Sequence, residues 1–211
     1  MIAGLLPEKT RVLDVGCGTG SMSKLLVDLR SVQLVGIEPD LERVEKARSR
    51  GLEVRHGIMD ESALKDLGQF DVVVFADVLE HLPDPWSALN LARRALSANG
   101  MVIASVPNIA HWSVRWELLW GRFDYQSCGI MDATHLRWFT ERSLRNLFES
   151  AGYRVDRIQQ TAGTESSVYH EYLFWRYFRL RRWKLPLVRW LAKRFPRLFG
   201  YQHVIRAVRA P

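Results

Sequence analysis

Histidines and carboxylates lie close together at several points of this chain, and these residue types can move protons. His135 follows Asp132 by three residues, in a polar segment after the fifth predicted strand. An imidazole can take a proton from a hydroxyl, and a neighbouring carboxylate would fix its tautomer and raise its basicity. His111 is a second candidate base. The alternative is structural: Asp132, Thr134 and Arg137 would tie the loop down, with His135 hydrogen-bonded to the backbone.

A glycine loop near the start of the chain predicts a ligand site of the nucleotide type. Residues 11–20 read Arg-Val-Leu-Asp-Val-Gly-Cys-Gly-Thr-Gly, which predicts a short buried strand, a tight turn and a helix start. Glycine tolerates positive φ and lets a ligand lie against the backbone. The spacing is G-x-G-x-G rather than the G-x-G-x-x-G of a dinucleotide fold, which disfavours an NAD(P) enzyme.

The elements that must position these residues alternate along the chain. Apolar runs predict strands at residues 12–15, 32–37, 52–56, 70–75, 101–106 and 153–159, and an alternating run predicts another at 201–208. Helical patterns separate the first five, which is typical of a parallel, doubly wound sheet. Glu38 ends the second strand, ~20 residues beyond the glycine loop, where an acid would bind ribose hydroxyls. The alternative is a solvated acid at a strand end.

Residues 12–20 resemble the first motif of class I S-adenosylmethionine (SAM)-dependent methyltransferases almost letter for letter. The resemblance implies an α/β fold: a doubly wound, mostly parallel seven-stranded Rossmann-like sheet with an antiparallel last strand. The chain's own sequence adds a helical insertion before that strand. The resemblance also implies SAM as cofactor, held by residues of the glycine loop and of the segments after the second, third and fourth strands. The residues so predicted are Asp14, Gly16, Cys17, Gly18, Gly20, Glu38, Pro39, Asp60, Ala76, Asp77, Val78 and His81. Asp60 could equally be a helix N-cap, and His81 could be a base or structural.

Two further segments narrow the resemblance. Residues 76–82 resemble the small-molecule methyltransferases of the ubiquinone-biosynthesis type, and the Asn-Pro-Pro-Tyr motif of amino-base methyltransferases is missing there. Residues 106–148 resemble a bacterial subgroup found in polysaccharide and secondary-metabolite clusters. We therefore expect residues 107–140 to form a substrate-side insertion. Within it, Trp112, Trp116 and Trp120 share one helical face, which more often packs in a core than binds a ligand.

A basic, aromatic segment between the sixth and seventh strands, residues 161–199, predicts a second helical insertion. From His170 to Phe199 it carries nine Lys or Arg residues against one acid, with interleaved aromatics. A basic amphipathic helix with aromatics is typical of an interfacial membrane segment. The alternatives are a helix packed on its own domain with a solvated basic face, and RNA binding.

Composition sets broader limits. The chain has 211 residues, enough for a single domain over 1–211, and a formal net charge of +7, which favours an acidic partner. Cys17 and Cys128 match no metal spacing, and we expect no metal site. No secretory signal and no run long enough to span a bilayer is present. We expect a cytoplasmic protein, with peripheral contact to the anionic inner membrane surface as an option.

These observations together predict a SAM-dependent methyltransferase that methylates an oxygen, less readily a nitrogen, of a small-molecule, sugar or lipid-linked acceptor. A nucleic-acid methyltransferase and a non-catalytic SAM-binding protein are the alternatives. Only a short N-terminus, residues 1–9, lies ahead of the stretch that contains the first strand, whereas the family usually has one or two helices there that cover the cofactor. Either this lid is missing or the chain is a piece of a longer protein.

Overall fold

The computed structural model describes residues 1–163 and 181–210, and side chains from residue 186 onward in the second range. Seven strands form one sheet in the order β3-β2-β1-β4-β5-β7-β6. The strands are β1 (Arg11–Val15), β2 (Gln33–Glu38), β3 (Glu53–His56), β4 (Phe70–Ala76), β5 (Leu96–Pro107), β6 (Tyr153–Thr161) and β7 (Gln202–Arg209). Neighbouring strands from β3 to β5 are parallel, and β7 is antiparallel to both β5 and β6. The predicted fold class is confirmed.

Helices cover both faces of this sheet. They are α1 (Ile2–Leu5), α2 (Ser21–Arg30), α3 (Leu41–Ser49), α4 (Glu61–Leu64), α5 (Pro85–Ala95), α6 (Trp112–Leu119), α7 (Glu141–Ser150), α8 (Arg181–Arg194) and α9 (Pro196–Phe199), with a 3₁₀ turn at Leu79–His81. None of the helices in the described ranges is long and apolar enough to cross a membrane. Residues 164–180 of the predicted basic insertion lie outside the described residues.

The core has two layers because side chains alternate along each strand. Leu13 and Val15 of β1 lie on one face with α5 and α7, in a cluster that includes Phe75. Val12 lies on the other face, where it packs with Leu26 of α2. Asp14 follows the same alternation as Val12. This places its carboxyl between the sheet and α2, directly below the glycine loop.

Helix starts are fixed by side-chain caps. Asp40 accepts from the Arg43 amide at the start of α3. Thr140 begins α7. Because the third residue after it is Ser143 and not Glu or Gln, the sequence predicts no full capping box, and this prediction is wrong. The Ser143 hydroxyl accepts from the Thr140 amide at 2.9 Å, while Thr140 Oγ1 accepts from the Ser143 amide at 3.1 Å. A serine oxygen thus replaces the Glu or Gln of the usual box.

Buried His203 of β7 predicts acid sensitivity of the fold. Neither ring nitrogen has a partner among the described residues, and burial lowers its pKa to about 4, opposed by the charge of Glu141. The unfolded chain binds the proton near pH 6.5, so the free energy of unfolding should fall as the pH drops from 6.5 to 4, by about 3 kcal/mol from this residue. Denaturant titrations at both pH values test this. The His203→Leu variant should lose less stability over this range than the wild type, and equal losses would contradict the assignment.

Candidate functional site

The glycine loop between β1 and α2 forms one wall of a site at the carboxyl edge of the sheet. Gly16, Gly18 and Gly20 all have positive φ, at 69°, 56° and 75°. The Gly16 amide donates to the Ile37 carbonyl at 2.8 Å, and the Gly20 amide donates to the Cys17 carbonyl at 3.0 Å. The first bond holds the loop against the end of β2, and the second closes the loop on itself, in a conformation that glycine adopts without steric cost.

The three glycines differ in what surrounds them. A Cβ at Gly20 would lie 2.5 Å from Leu52 and 2.9 Å from Ala47, and one at Gly16 would lie 2.7 Å from Val78. A Cβ at Gly18 would meet nothing within 4 Å. Gly20 is therefore required by packing, whereas Gly18 borders open space in which a ligand can lie against the backbone.

This difference predicts opposite phenotypes for two alanine substitutions. Gly20→Ala should lower the free energy of unfolding by about 3 kcal/mol, because it combines an unfavourable φ with overpacking. Gly18→Ala should cost only about 1 kcal/mol but should weaken binding of the loop's ligand at least about tenfold. Denaturant titration and calorimetric titration with SAM measure the two effects. A Gly18 variant that binds normally, or a Gly20 variant of normal stability, would contradict this division.

Glu38 at the end of β2 faces this loop and is 3% exposed. Its Oε2 accepts from the Gly18 amide at 2.8 Å, and its Oε1 accepts from the Asp40 amide at 3.1 Å. Each oxygen keeps a lone pair for a further donor, such as the hydroxyls of a cis-diol. Next to it, the Pro39 carbonyl lies 2.9 Å from His56 Nε2, which joins the ends of β2 and β3.

Asp14 lies below the loop and is 1% exposed. Its Oδ2 accepts from the Ser23 hydroxyl at 2.5 Å, and its Oδ1 has no partner among the described residues. Burial raises the pKa of this carboxyl to about 6, against the Ser23 hydrogen bond and with a smaller contribution from the charge of Glu38. Asp14 therefore ties β1 to α2 and offers one unused oxygen.

Cys17 and Asp60 also have structural contacts. Burial raises the pKa of the Cys17 thiol to about 12, so it stays protonated, and its side chain packs on Gly36 of β2. Asp60 caps α4 by accepting from the Ala63 amide at 2.7 Å. This is the N-cap alternative of the sequence prediction. Asp60 and Ile58 also line a cavity of about 390 Å³ beside the end of β3, so a contact with a ligand's ring is compatible with the cap.

The segment after β4 forms the opposite wall, from Ala76 to His81. Asp77 has a positive φ of 54°, which is unusual for a residue with a side chain. Ser105 Oγ donates to its Oδ1 at 3.0 Å, and Gln202 Nε2 donates to the same oxygen at 2.5 Å. Burial raises the Asp77 pKa, while these two hydrogen bonds and the nearby His135 and His81 oppose the rise. Asp77 is thus held in place by two strands.

Glu80 is the feature that sequence analysis missed. It is 1% exposed, and neither carboxyl oxygen has a hydrogen-bond partner among the described residues. Burial, and secondarily the charge of Asp77, raises its pKa to about 9. A buried carboxyl without a partner is costly and calls for an explanation at a functional site. The adjacent His81 was the only sign in the sequence that Glu80 belongs to a site. No sequence pattern shows that the Glu80 side chain is buried.

His135 is brought to the same place by the substrate-side insertion. The rings of His81 and His135 meet edge to face, with centroids 4.8 Å apart. His135 Nδ1 lies 3.1 Å from the Ile130 carbonyl, which can only accept, so Nδ1 carries the proton and Nε2 keeps its lone pair. Burial is the main cause that lowers the pKa of His135. The ring is therefore neutral and presents a basic nitrogen.

Asp132, the predicted partner of His135, makes its hydrogen bonds to Thr134 instead. The Asp132 carboxylate accepts from the Thr134 amide at 2.8 Å and from the Thr134 hydroxyl at 2.7 Å, and no hydrogen bond between it and the His135 ring is found among the described residues. The Ile130 carbonyl fixes the tautomer instead. Asp132 and Thr134 thus hold the loop in place, as the structural alternative predicted. His135 nevertheless lies beside His81.

The substrate-side insertion is hydrogen-bonded to the 3₁₀ turn. The Leu136 and Arg137 amides both donate to the Glu80 carbonyl, at 2.8 and 3.0 Å, and the Arg137 guanidinium donates to the Pro83 carbonyl.

His111, the second candidate base, is 1% exposed and caps α6, with Nδ1 2.8 Å from Ser113 Oγ. It lies apart from the His81–His135 pair in these contacts.

The donor set around Glu80 could also hold a metal ion. Glu80, His81 and His135 each offer a ligand atom, and these atoms lie within 4.8 Å of one another. A carboxylate with two imidazoles suits a divalent transition metal or zinc. The expectation of no metal site rested on the two cysteines, which match no metal spacing, whereas Glu80, His81 and His135 come together only in the fold.

Comparison with known proteins agrees with this geometry. The family described as "Methyltransferase domain" matches residues 2–158. Ubiquinone biosynthesis O-methyltransferases are similar over half of the chain: one from Xanthomonas axonopodis pv. citri is 32% identical over 111 residues, and one from Bordetella bronchiseptica is 37% identical over 112. Each match covers 50% of this chain and 46% of the relative, so the chain matches about half the length of these proteins.

Solved structures share the whole fold. A SAM-dependent methyltransferase from Archaeoglobus fulgidus aligns with a TM-score of 0.63 at 19% identity, covering 95% of this chain and 86% of that one. The magnesium protoporphyrin IX methyltransferase from Synechocystis, solved with bound S-adenosylhomocysteine, aligns with a TM-score of 0.61 at 17% identity, covering 98% and 77%. With the sheet order, the glycine loop and the matched family together, this chain belongs to the class I SAM-dependent methyltransferases and uses SAM as its cofactor.

Proposed function

We propose that this methyltransferase transfers the SAM methyl group to a hydroxyl oxygen of a small-molecule acceptor. The observation that carries the proposal is the neutral His135, with a basic Nε2, beside His81 and the unpaired carboxyl of Glu80. Such a group can accept a hydroxyl proton, which a nitrogen acceptor with a free lone pair would not require. The names of the O-methyltransferase relatives point to the same class of acceptor.

The binding part of the mechanism uses the glycine-loop wall. Glu38 would accept from the ribose hydroxyls, while the open space at Gly18 admits the nucleoside against the backbone. Asp77, held by Ser105 and Gln202, would face the positively charged end of the cofactor. Oxygens fixed before binding need no reorganisation when the charged sulfonium arrives.

The chemical step is an in-line displacement. The acceptor oxygen attacks the methyl carbon, the carbon–sulfur bond breaks, and its electron pair stays on sulfur to give S-adenosylhomocysteine. The hydroxyl proton passes to His135 Nε2 and then to water. Alignment of oxygen, carbon and sulfur supplies much of the acceleration. A divalent cation held by Glu80, His81 and His135 would occupy the Nε2 lone pair and, when bound, would replace His135 as the activating group by making the hydroxyl more acidic.

The acceptor is best sought among sugars and lipid-linked sugars. Residues 106–148, which resemble the polysaccharide-cluster subgroup, form the loop and helix that bring His135 to the site. Polar residues on such a loop are available for substrate rather than packing. Transfer of labelled methyl from SAM to a panel of sugars and polyprenyl-linked sugars tests this, with the Glu38→Ala variant as control. Alkali-stable methyl ethers are expected, and exclusive labelling of amines or nucleic acid would overturn the proposal.

A further inference from the structure

Exposed apolar side chains are concentrated in two segments at the substrate side. Among the described residues, nine of the sixteen exposed large apolar side chains lie there: Trp116, Leu118, Leu119, Trp120, Phe123, Tyr125, Leu187, Trp190 and Phe195. Leu119 is 75% exposed, Trp120 63% and Trp190 57%. The expectation that the tryptophan stripe packs in the core is therefore wrong for Trp116 and Trp120. We call these nine residues the aromatic face.

The two segments lie together on the molecule. Val114 of α6 and Val188 of α8 pack in one small cluster with Ile130, Met131 and Tyr201. Both helices thus turn their inner sides to the same core and leave their outer sides to solvent. Many exposed apolar side chains on two helices that share one small core indicate an interaction site rather than chance exposure.

The aromatic face is next to the candidate site. Tyr201 leads directly into β7, whose first residue, Gln202, holds Asp77. The Asn108 amide, at the end of β5, donates to the Gly200 carbonyl at 2.8 Å and so joins α9 to the substrate-side insertion. The aromatic face is therefore joined through residues 200–202 to the segment that holds Asp77.

Charge identifies the class of partner. From Arg181 to Phe199 the sequence has seven Lys or Arg residues and no acid. Lys193 and Arg194 are exposed on α8, and the Arg194 guanidinium lies over the Phe195 ring, 5.0 Å from its centre. In residues 112–125 the charges balance, with two arginines against two acids, and Arg122 pairs with Glu117. Cations on one helix beside aromatic and aliphatic side chains match an anionic lipid surface.

We propose that the aromatic face and the cations of α8 bind the surface of an anionic phospholipid bilayer. Trp116, Trp120 and Trp190 would enter the headgroup region, while Lys193 and Arg194 would contact lipid phosphates. Binding in this orientation brings the substrate-side insertion to the bilayer, where a lipid-linked acceptor resides. The binding itself does not depend on the proposed reaction.

Sedimentation of the full chain with vesicles tests the proposal. The probes are phosphatidylcholine vesicles with and without phosphatidylglycerol. Two exposed cations at about 1 kcal/mol each favour the anionic vesicles by at least about 30-fold. The Lys193→Glu/Arg194→Glu variant should lose at least about tenfold in partitioning, and so should Trp116→Gln/Trp120→Gln. The brominated-lipid quenching of tryptophan fluorescence seen for the wild type should drop in the tryptophan variant.

Matched controls come from other helices. Leu25→Gln/Leu29→Gln removes an exposed apolar pair from α2, and Lys46→Glu/Arg50→Glu reverses two exposed cations in and after α3. Both should partition within about twofold of the wild type, and all variants should bind SAM normally, which confirms their fold. The proposal would be overturned if the chain partitioned equally to the two vesicle types or if both test variants partitioned like the wild type. It would also be overturned if the chain formed a dimer that the tryptophan substitutions disrupt, or if it bound RNA in preference to vesicles. Failure of methyl transfer with intact vesicle binding would reject only the proposed function.

Discussion

The His135→Ala variant is expected to lose about 10²- to 10³-fold in kcat, while its affinity for SAM stays within about threefold of the wild type. The reason is geometric. The Ile130 carbonyl holds the ring so that Nε2 keeps its lone pair. Hydrogen bonds from the neighbouring Leu136 and Arg137 amides to the Glu80 carbonyl hold this segment so that the ring lies beside His81. Removing the imidazole leaves the cofactor wall of Glu38 and Gly18 intact but leaves the acceptor proton without its nearest base. Steady-state methyl transfer and calorimetric titration with SAM measure the two quantities.

Asp132→Asn is the matched control for this variant. The Asp132 carboxylate bonds Thr134 and not the His135 ring, so an amide that still offers an oxygen should lower kcat less than about tenfold. An equal loss in both variants would contradict the assignment and would restore the carboxylate–histidine pair. Activity that vanishes on chelation and returns with a divalent cation would show that His135 acts as a metal ligand instead.

The Glu38→Ala variant is expected to bind SAM at least about 100-fold more weakly. Hydrogen bonds to a charged carboxylate contribute about 1.5–3 kcal/mol each, and Glu38 is placed to accept from two ribose hydroxyls. The variant also frees the Gly18 and Asp40 amides, so the loop loses part of its organisation before the cofactor arrives. Calorimetric titration with SAM and with S-adenosylhomocysteine should show the same loss for both.

Two further variants separate these contributions. Glu38→Gln keeps one acceptor oxygen and should bind SAM with intermediate affinity. Glu42→Ala removes an exposed acid of α3 that pairs with Lys46, and it should leave the affinity unchanged. Full affinity in Glu38→Ala would show that the nucleoside binds elsewhere.

The sequence was sufficient for the sheet and the glycine loop. The strands are short apolar runs separated by helices, and an alternating pattern after a long insertion correctly predicted β7, which lies between β5 and β6. Gly16, Gly18 and Gly20 have the left-handed backbone that their spacing predicts. These features follow from local sequence, because periodicity and backbone freedom are local properties.

Contacts between residues far apart in the chain could not be predicted from the sequence. The Leu136 and Arg137 amides reach the Glu80 carbonyl from more than 50 residues away, and Gln202 reaches Asp77 from a strand 125 residues later. The tryptophan stripe of α6 shows the same limit, since a helical periodicity identifies an apolar face without showing whether a core or another surface covers it. The Ile130 carbonyl, a group that every residue possesses, fixes the His135 tautomer. No side-chain pattern could have indicated it.

A crystal structure of the chain with S-adenosylhomocysteine would show where the cofactor lies relative to Glu38 and the two histidines. We predict that the ribose hydroxyls lie within hydrogen-bond distance of Glu38, that the nucleoside passes over Gly18, and that the sulfur faces the space between Asp77 and the His81–His135 pair. A nucleoside bound away from Glu38, or a sulfur directed away from these histidines, would contradict the account.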